Sequence, residues 1–446
     1  MGKFRVEITD LAKKQIGQHL KSGNQASIKK IARILQELSE TPYTGVGKPE
    51  ALKENLLGFW SRQINSKDRL IYTVNDDLVV VDVVSAMGLI LINNFMKLLR
   101  KILFPFAIIY GIITSIRNLL YDKGILKSFS FDVPIIAVGN LSVGGTGKTP
   151  QIEYLIRLLS PHYKVATLSR GYKRQSEGFV LADSSYNAAI LGDESYQFYS
   201  KFKNILVAVD ANRKNGIEQL LSQPETRGIA RHSEAKPEII LLDDAYQHRK
   251  VKAGFYILLT SYGDLYSDDF MLPMGNLREN RSGVNRANVV IVTKCLQDLS
   301  QNEQTIIRTK LKLNSNQELY FSYIDYDDFI YSKDKTLKLS EIENVNKIML
   351  AGIAKPEPFF IHLHAKNEEK LVFPDHHHFS KKDINIINNK SQNKLIITTE
   401  KDFVRLNENV PNDKLFYLPI RSTFIAESEK FDKNILNYVG PSTRNS

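Results

Sequence analysis

The sequence predicts a large α/β domain built on a doubly wound, mostly parallel sheet, with a smaller α/β domain C-terminal to it and a small α+β domain in front. Three observations carry that prediction. Short apolar runs recur at residues 165–168, 205–209, 239–242, 255–259 and 289–292, most of them separated by helix-length segments, the alternation a parallel sheet with crossover helices needs. A glycine-rich stretch, residues 138–150, directly follows the apolar run Ile135-Ile136-Ala137. The first 88 residues instead show two helical periods and then β-like runs, and the composition shifts at Leu89. The expected division is 1–88, 89–130 as linker and apolar helix, 131–325 as the core, and 326–446 as linker and second α/β domain.

The composition bounds the possibilities. A chain of 446 residues suits roughly two to four domains of about 100 to 200 residues each. Hydrophobic content of 43% and charged content of 24% exclude wholesale disorder and a many-pass membrane protein. The net charge of +11 favours anionic partners such as nucleotides, nucleic acid or lipid headgroups. Cys295 is the single cysteine, so no intrachain disulfide partner exists and a reducing compartment is expected. The N-terminus, Met-Gly-Lys-Phe-Arg-Val-Glu, lacks the apolar core of a secretory signal.

In residues 1–88, helical periodicity covers 10–20, with Asp10 as the expected cap, and 28–38. Runs at 56–64, 69–74 and 78–84 read as strands, with Asn75-Asp76-Asp77 as a turn. Helices packed on an antiparallel sheet are expected. The strings Gly47-Lys48-Pro49-Glu50-Ala51-Leu52-Lys53-Glu54-Asn55-Leu56, Gly58-Phe59-Trp60-Ser61-Arg62 and Asp68-Arg69-Leu70-Ile71-Tyr72 resemble the YoeB branch of the RelE-type toxins. That resemblance implies a ribosome-dependent endoribonuclease, with Glu50 as acid/base carboxylate, Arg69 stabilising the phosphoryl transition state and Lys53 as a further basic contact. An antitoxin and ribosome-bound mRNA are the implied partners. The family's terminal His-Tyr pair is missing after Val84-Ser85-Ala86-Met87-Gly88, where Leu89 and Ile90 follow, so impaired cleavage is expected. On the residues alone, Glu50 and Arg69 equally suit a surface ion pair.

Met96-Lys97-Leu98-Leu99-Arg100-Lys101 looks like an independent start, as though two reading frames had been joined. Residues 102–116 are uncharged and flanked by basic residues. The run is short against the roughly 20 residues of a membrane span, so a helix in a membrane interface is expected, bent at Pro105 and Gly111. A buried core helix is the alternative.

The stretch Val-Gly-Asn-Leu-Ser-Val-Gly-Gly-Thr-Gly-Lys-Thr-Pro is a variant phosphate loop of the P-loop NTPase type, with Ser142 where the strict pattern has glycine. Residues Ser142, Val143, Gly144, Gly145, Thr146, Gly147, Lys148 and Thr149 are the expected ATP-phosphate contacts. Lys148 would reach the terminal phosphates and Thr149 would offer its hydroxyl to Mg²⁺. The run Ile239-Ile240-Leu241-Leu242-Asp243-Asp244 ends an apolar strand in paired carboxylates, which suits a magnesium ion beside such a loop.

Seven strings in one order resemble the lipid A 4'-kinases (tetraacyldisaccharide 4'-kinases), from about Met96 to Tyr438. They are the phosphate loop, Leu168-Ser169-Arg170-Gly171-Tyr172, Gly192-Asp193-Glu194, Asp243-Asp244-Ala245-Tyr246-Gln247-His248, Leu272-Pro273-Met274-Gly275-Asn276-Leu277-Arg278-Glu279, Phe373-Pro374-Asp375-His376-His377 and Thr399-Glu400-Lys401-Asp402. The resemblance implies transfer of the ATP γ-phosphate to the 4'-hydroxyl of a tetraacyldisaccharide 1-phosphate, at the cytoplasmic side of a bacterial inner membrane. Asp193 is then the general base, with His376 as its partner. Glu194, Asp243, Asp244 and Glu279 join Thr149 as metal candidates, and His248 and Arg278 would meet phosphate charge. Arg170 and Tyr172 would line the acceptor site, while Thr293 and Lys294 would begin a base-contacting loop. Without the resemblance, Asp193 reads as a helix cap and His376 as a loop residue. Competing functions are an mRNA-cleaving toxin or antitoxin-binding module, and a regulatory P-loop ATPase or GTPase.

Beyond Asp325 the periods weaken, and a linker or small hairpin leads to strands expected at 348–351, 371–373, 395–398 and 415–418. A helix near Ser380 is supported by Asp383 in capping-box spacing. Adjacent His376, His377 and His378 point in different directions from an extended chain, which argues against a zinc site. Residues 440–446 read as an unstructured tail.

Overall fold

The computed structural model describes residues 4–52, 59–66, 68–75, 80–86, 103–172, 174–222, 236–363, 369–375, 377–392, 394–406, 409–411 and 413–443. They fall into two compact units, Met1–Phe104 and Pro105–Ser446. Lys53, the Asp76-Asp77 part of the expected turn and His376 lie outside the described residues.

In the first unit, helices α1 (Asp10–Lys21) and α2 (Gln25–Leu38) accompany a five-stranded sheet of order β1-β5-β4-β3-β2. Its strands are β1 (Arg5–Ile8), β2 (Glu50–Ala51), β3 (Phe59–Gln63), β4 (Arg69–Asn75) and β5 (Val80–Ser85). The sheet is not wholly antiparallel as expected, because β1 runs parallel to β5, with Arg5 opposite Val80. A parallel pair needs a crossover connection, and α1 and α2 form part of it. The cap of α1 is Thr9, whose hydroxyl accepts from the Ala12 amide at 3.3 Å, and Asp10 is the first helical residue. Ile31, Ile34 and Leu38 recur at helical spacing and bury one face of α2 against Leu70, Tyr72, Val81 and Val83.

Arg62, from the resemblance strings, is fully buried. Its guanidinium donates to Glu37 Oε2 at 2.9 Å and to the carbonyls of Thr41 and Thr44 at 2.5 and 2.7 Å. A buried cation is tolerable only when its donors are satisfied in this way. Arg62 therefore fastens the 41–46 loop to β3, a structural duty.

Helix α3 (Phe104–Asp122), continuous over 19 residues, lies in the second unit from its second residue onward. Pro105 sits in its first turn, where a missing N–H costs nothing. Gly111 continues the helix, so neither residue interrupts it. A helix of this length spans about 29 Å, and by length and composition it is long and apolar enough to cross a membrane. The core alternative does not hold, since only Ala107 of its residues is buried, while Phe106, Ile109, Ile112, Ile113, Ile116 and Leu119 are each more than half exposed.

The larger sheet has nine strands in the order β20-β13-β12-β11-β6-β10-β7-β9-β8. In chain order these are β6 (Ile135–Asn140), β7 (Val165–Ser169), β8 (Val180–Leu181), β9 (Leu206–Val209), β10 (Ile239–Asp243), β11 (Phe255–Ser261), β12 (Val289–Thr293), β13 (Glu318–Tyr326) and β20 (Ile420–Phe424). All neighbours are parallel except the edge strands β8 and β20. Both β6 and β10 are buried along their whole length, as expected where helices cover both faces. Helices α4 (Lys148–Leu159), α5 (Asp193–Lys201) and α6 (Arg213–Leu221) follow β6, β8 and β9.

The smaller sheet, of order β15-β14-β19-β18-β16-β17, contains the expected hairpin, β14 (Phe329–Tyr331) and β15 (Thr336–Lys338). Its other strands are β16 (Lys347–Ala351), β17 (Glu369–Val372), β18 (Leu395–Thr399) and β19 (Leu415–Leu418), close to the expected positions. Helix α7 (Lys381–Lys390) has the Ser380–Asp383 capping box, and α8 (Glu400–Leu406) follows β18.

The C-terminal boundary differs from the expectation. Strand β20 returns to the larger sheet, and α9 (Ser428–Thr443) buries Phe431, Ile435 and Val439 in its core. The supposed tail at 440 is thus helical through Thr443. The four-residue spacing of those apolar positions is that of one helix face.

Candidate active site

Strand β6 ends at Asn140, the loop runs from Leu141 to Gly147, and α4 begins at Lys148. Gly144 and Gly147 have φ of +111° and +83°, where side-chain-bearing residues are strained. Val143, Gly144 and Gly145 are exposed, so the cradle opens outward. Its underside is braced. The Val143 amide donates to the Asn276 carbonyl at 2.8 Å, the Thr293 hydroxyl to the Thr146 carbonyl at 2.8 Å, and Lys294 Nζ to the Gly145 carbonyl at 2.5 Å. Thr293 and Lys294, expected at the start of a base-contacting loop, hold the phosphate loop in shape.

At the end of the neighbouring strand β10, Asp243 is buried and its Oδ1 has no hydrogen-bond partner. Burial pushes its carboxyl up to about 7, the nearby Glu194 charge adds to this, and Lys148 opposes it. Asp244, half-buried in a left-handed conformation of φ +47°, is held down to about 2. Burial acts upward on it, and Arg278 and Lys148 outweigh that. Lys148 Nζ lies 3.6 Å from Asp244 Oδ1, and Arg278 straddles the same carboxylate with bonds of 3.1 and 2.8 Å while also reaching Asn140 Oδ1.

Several expected roles change. Arg278 is engaged with Asp244 and orients it through Nη1 and Nη2. His248 is pushed down to about 4 by burial and by Arg213 and Arg170, so without a bound phosphate it is an uncharged imidazole at neutral pH. Glu279 is buried and accepts from Arg286 and from Asn118 Nδ2 at 3.0 Å. It is engaged in bracing α3, with Tyr110 donating to the Arg278 carbonyl at 3.0 Å beside it, rather than offered to a metal. Thr149 is buried at the start of α4. Glu194 meets Lys401 at 3.5 Å and Asp193 meets Arg405 at 2.5 Å. Arg170 and Tyr172 are exposed beyond the end of β7, which is compatible with acceptor contact.

Sequence reasoning missed Asn140, Lys201, Arg213 and Arg405. Arg405 stands one helical turn beyond Lys401, so that spacing could have revealed it. Arg213, buried at the start of α6, donates to the Asp210 and Asp243 carbonyls at 2.6 and 3.0 Å and fixes the end of β10. Among the described residues no group of three or more His, Cys, Asp or Glu forms a metal site unaided. The unpartnered Asp243 oxygen nonetheless fits a cation that completes its shell with phosphate oxygens and water.

In the small unit, Arg69 donates to Glu50 Oε2 at 2.8 Å and to the Ser61 hydroxyl at 3.2 Å.

A glycine-rich loop between strand and helix, a lysine opening that helix and a carboxylate pair ending the adjacent strand define a P-loop nucleotide site of the phosphoryl-transfer class. The family model described as tetraacyldisaccharide-1-P 4'-kinase matches residues 99–440. The chain belongs to that family. It is 66% identical to the tetraacyldisaccharide 4'-kinase of Flavobacterium johnsoniae over 77% of this chain and 98% of that protein. With the enzyme of the same name from Bacteroides thetaiotaomicron it is 45% identical over 79% and 97%. The crystal structure of an "apo" form of LpxK from Aquifex aeolicus in complex with ATP is similar at TM-score 0.63 and 28% identity, covering 76% of this chain and 99% of that one. Residues 17–86 match the model of a YoeB-like toxin of bacterial type II toxin-antitoxin systems.

Proposed function

We propose that the chain is an ATP-dependent kinase that phosphorylates the 4'-hydroxyl of a tetraacyldisaccharide 1-phosphate, with a toxin-like unit attached in front. Family membership supports the reaction. The observation that carries it to particular residues is the buried, unpartnered Asp243 oxygen beside Lys148 and the Arg278-clamped Asp244.

The loop amides and Lys148 bind and orient the triphosphate of ATP. Thr149 and Asp243 would hold Mg²⁺, with Asp244 and Glu194 as further candidates, and the ion would neutralise charge on the phosphates. Asp193, at the start of α5, takes the proton of the sugar hydroxyl as its oxygen bonds to the γ-phosphorus. The bond from that phosphorus to the bridging oxygen breaks, and ADP departs. His376 is assigned as the partner of Asp193 by the family resemblance.

The exposed apolar face of α3 supports attachment to a membrane surface, which we place at the cytoplasmic side of a bacterial inner membrane. It belongs to the same unit as the nucleotide site and would receive an acylated substrate from the bilayer. The toxin-like unit is read as an antitoxin-binding module with impaired cleavage, because Glu50 and Arg69 are present and the terminal His-Tyr pair is not. The test of the kinase reading is ADP release by purified full chain with and without tetraacyldisaccharide 1-phosphate in mixed micelles. Release that rises with acceptor supports it, and acceptor-independent release points instead to a regulatory ATPase.

A further inference from the structure

Three ion pairs join α5, which belongs to the larger sheet, to α8, which follows β18 of the smaller one. Lys201 meets Glu400 at 2.5 Å, Glu194 meets Lys401 at 3.5 Å, and Asp193 meets Arg405 at 2.5 Å. The third differs from the others in geometry. Arg405 places both Nε and Nη2 on the same oxygen, Asp193 Oδ2, at 3.0 and 2.5 Å. Its side chain is 11% exposed and that of Asp193 30%, so the contact is partly shielded from water.

The mount behind Arg405 belongs to the smaller sheet. Asp402, fully buried, faces Arg405 Nη1 at 3.5 Å through its Oδ1. Its Oδ2 accepts from the Gly352 amide at 2.8 Å and the Thr399 hydroxyl at 2.7 Å. Gly352 follows β16 and Thr399 ends β18, so the guanidinium is tied to two strands at once. A cation held this firmly fixes the direction of the carboxylate it grips, and a shift of about 1 Å in a reacting group can cost on the order of 100-fold in rate.

The geometry points to Arg405 as a positioning residue that orients Asp193 for the transfer and makes base placement depend on the smaller sheet standing against α5. This rests on the reading of Asp193 as the base.

The experiment is a double-mutant cycle on the full chain, using γ-labelled ATP and tetraacyldisaccharide 1-phosphate in micelles. Arg405→Ala is expected to lower kcat roughly 10- to 100-fold, with KM for ATP changed less than about two-fold. Arg405→Lys should recover part of the loss, because it restores charge without the fork, and added guanidinium ion should raise the rate of Arg405→Ala alone. Asp193→Ala combined with Arg405→Ala should be no slower than Asp193→Ala, since a residue acting through Asp193 has nothing left to act on. Multiplying losses in the double variant, or an Arg405→Ala loss matched by lowered melting temperature without rescue, would overturn the positioning role while leaving the kinase reading intact. A wild-type chain that transfers no phosphate to the disaccharide overturns the kinase reading, and this inference falls with it.

Discussion

Glu50 with Arg69, and Asp244 with Lys148 and Arg278, are both contacts between carboxylate and cation, and their surroundings set them apart. The Glu50 side chain is 59% exposed and its partner 26%. Water already solvates both, so the pair contributes about 0 to 1 kcal/mol. Beside the phosphate loop, Asp244 neighbours a carboxylate, Asp243, that is 2% exposed and lacks a partner for Oδ1. Leaving a buried acceptor unsatisfied costs about 1 to 3 kcal/mol or more. The chain retains that cost at one place and avoids it at the other. An unpaired buried oxygen beside a phosphate loop fits a preorganised ligand site.

The largest expected effect that sharpens this contrast is loss of transfer. Asp193→Ala should lower kcat by about 10² to 10⁴, and Lys148→Ala by about 10² to 10³, with melting temperatures close to that of the wild type. Near-normal kcat for Asp193→Ala at saturating lipid would show that the base has been misassigned.

Asp243→Asn should separate function from stability. The folded pKa of Asp243, about 7, stands above its ordinary value of 3.8, so the folded chain binds this proton more tightly than the unfolded chain does. Its contribution to stability therefore falls as pH rises from about 4 to about 7, and above that range the full penalty of the buried charge is present. Without added metal, the Asn variant should melt higher than wild type at pH 7.5 and show a flatter decline of melting temperature between pH 5 and 7, while phosphate transfer is largely lost. An Asn variant that melts lower with an unchanged slope would mean Asp243 is a structural acceptor.

Replacing Ile109, Ile112 and Ile113 by serine removes exposed apolar surface and keeps the polar anchors of α3 at Tyr110 and Asn118. Flotation with anionic vesicles should fall several-fold and KM for micellar lipid should rise, with ATP affinity unchanged. Undiminished flotation would show that this face is not the one that meets the membrane.

The smallest effect is expected at the surface pair. Glu50→Gln should change stability by less than about 1 kcal/mol and leave lipid phosphorylation untouched. Residues 1–88 with His-Tyr appended after Gly88 should cleave ribosome-bound mRNA better than the unmodified segment. Strong cleavage by the full chain would contradict the impaired reading.

The features legible in the sequence were those written in local pattern. The strand before the loop, Lys148 at the helix start, and Asp243 and Asp244 at the end of an apolar run needed only adjacent residues to be recognised. The Ser380–Asp383 box and the small hairpin were equally local. What escaped depends on chain separation. Arg405 reaches Asp193 across 212 positions, and β20 returns to β13 after the whole smaller sheet has intervened. The charge state of His248 is unreadable for a related reason, since it is set by burial and by Arg213 and Arg170, which α6 and the end of β7 deliver. Glu279 stands in a resemblance string beside metal candidates, but the contacts it makes, with Arg286 and Asn118, come from other segments.

The most direct test of the central claim is where the phosphate goes. The full chain is incubated with γ-labelled ATP, Mg²⁺ and either tetraacyldisaccharide 1-phosphate or its 4'-deoxy analogue, and the lipid product is examined by phosphorus NMR. Label appearing as a 4'-phosphomonoester with the first acceptor, none with the second, and a rate of labelling about 10² to 10³ lower from Lys148→Ala is the result the account predicts. Label at another position, or equal labelling of the 4'-deoxy acceptor, would contradict it.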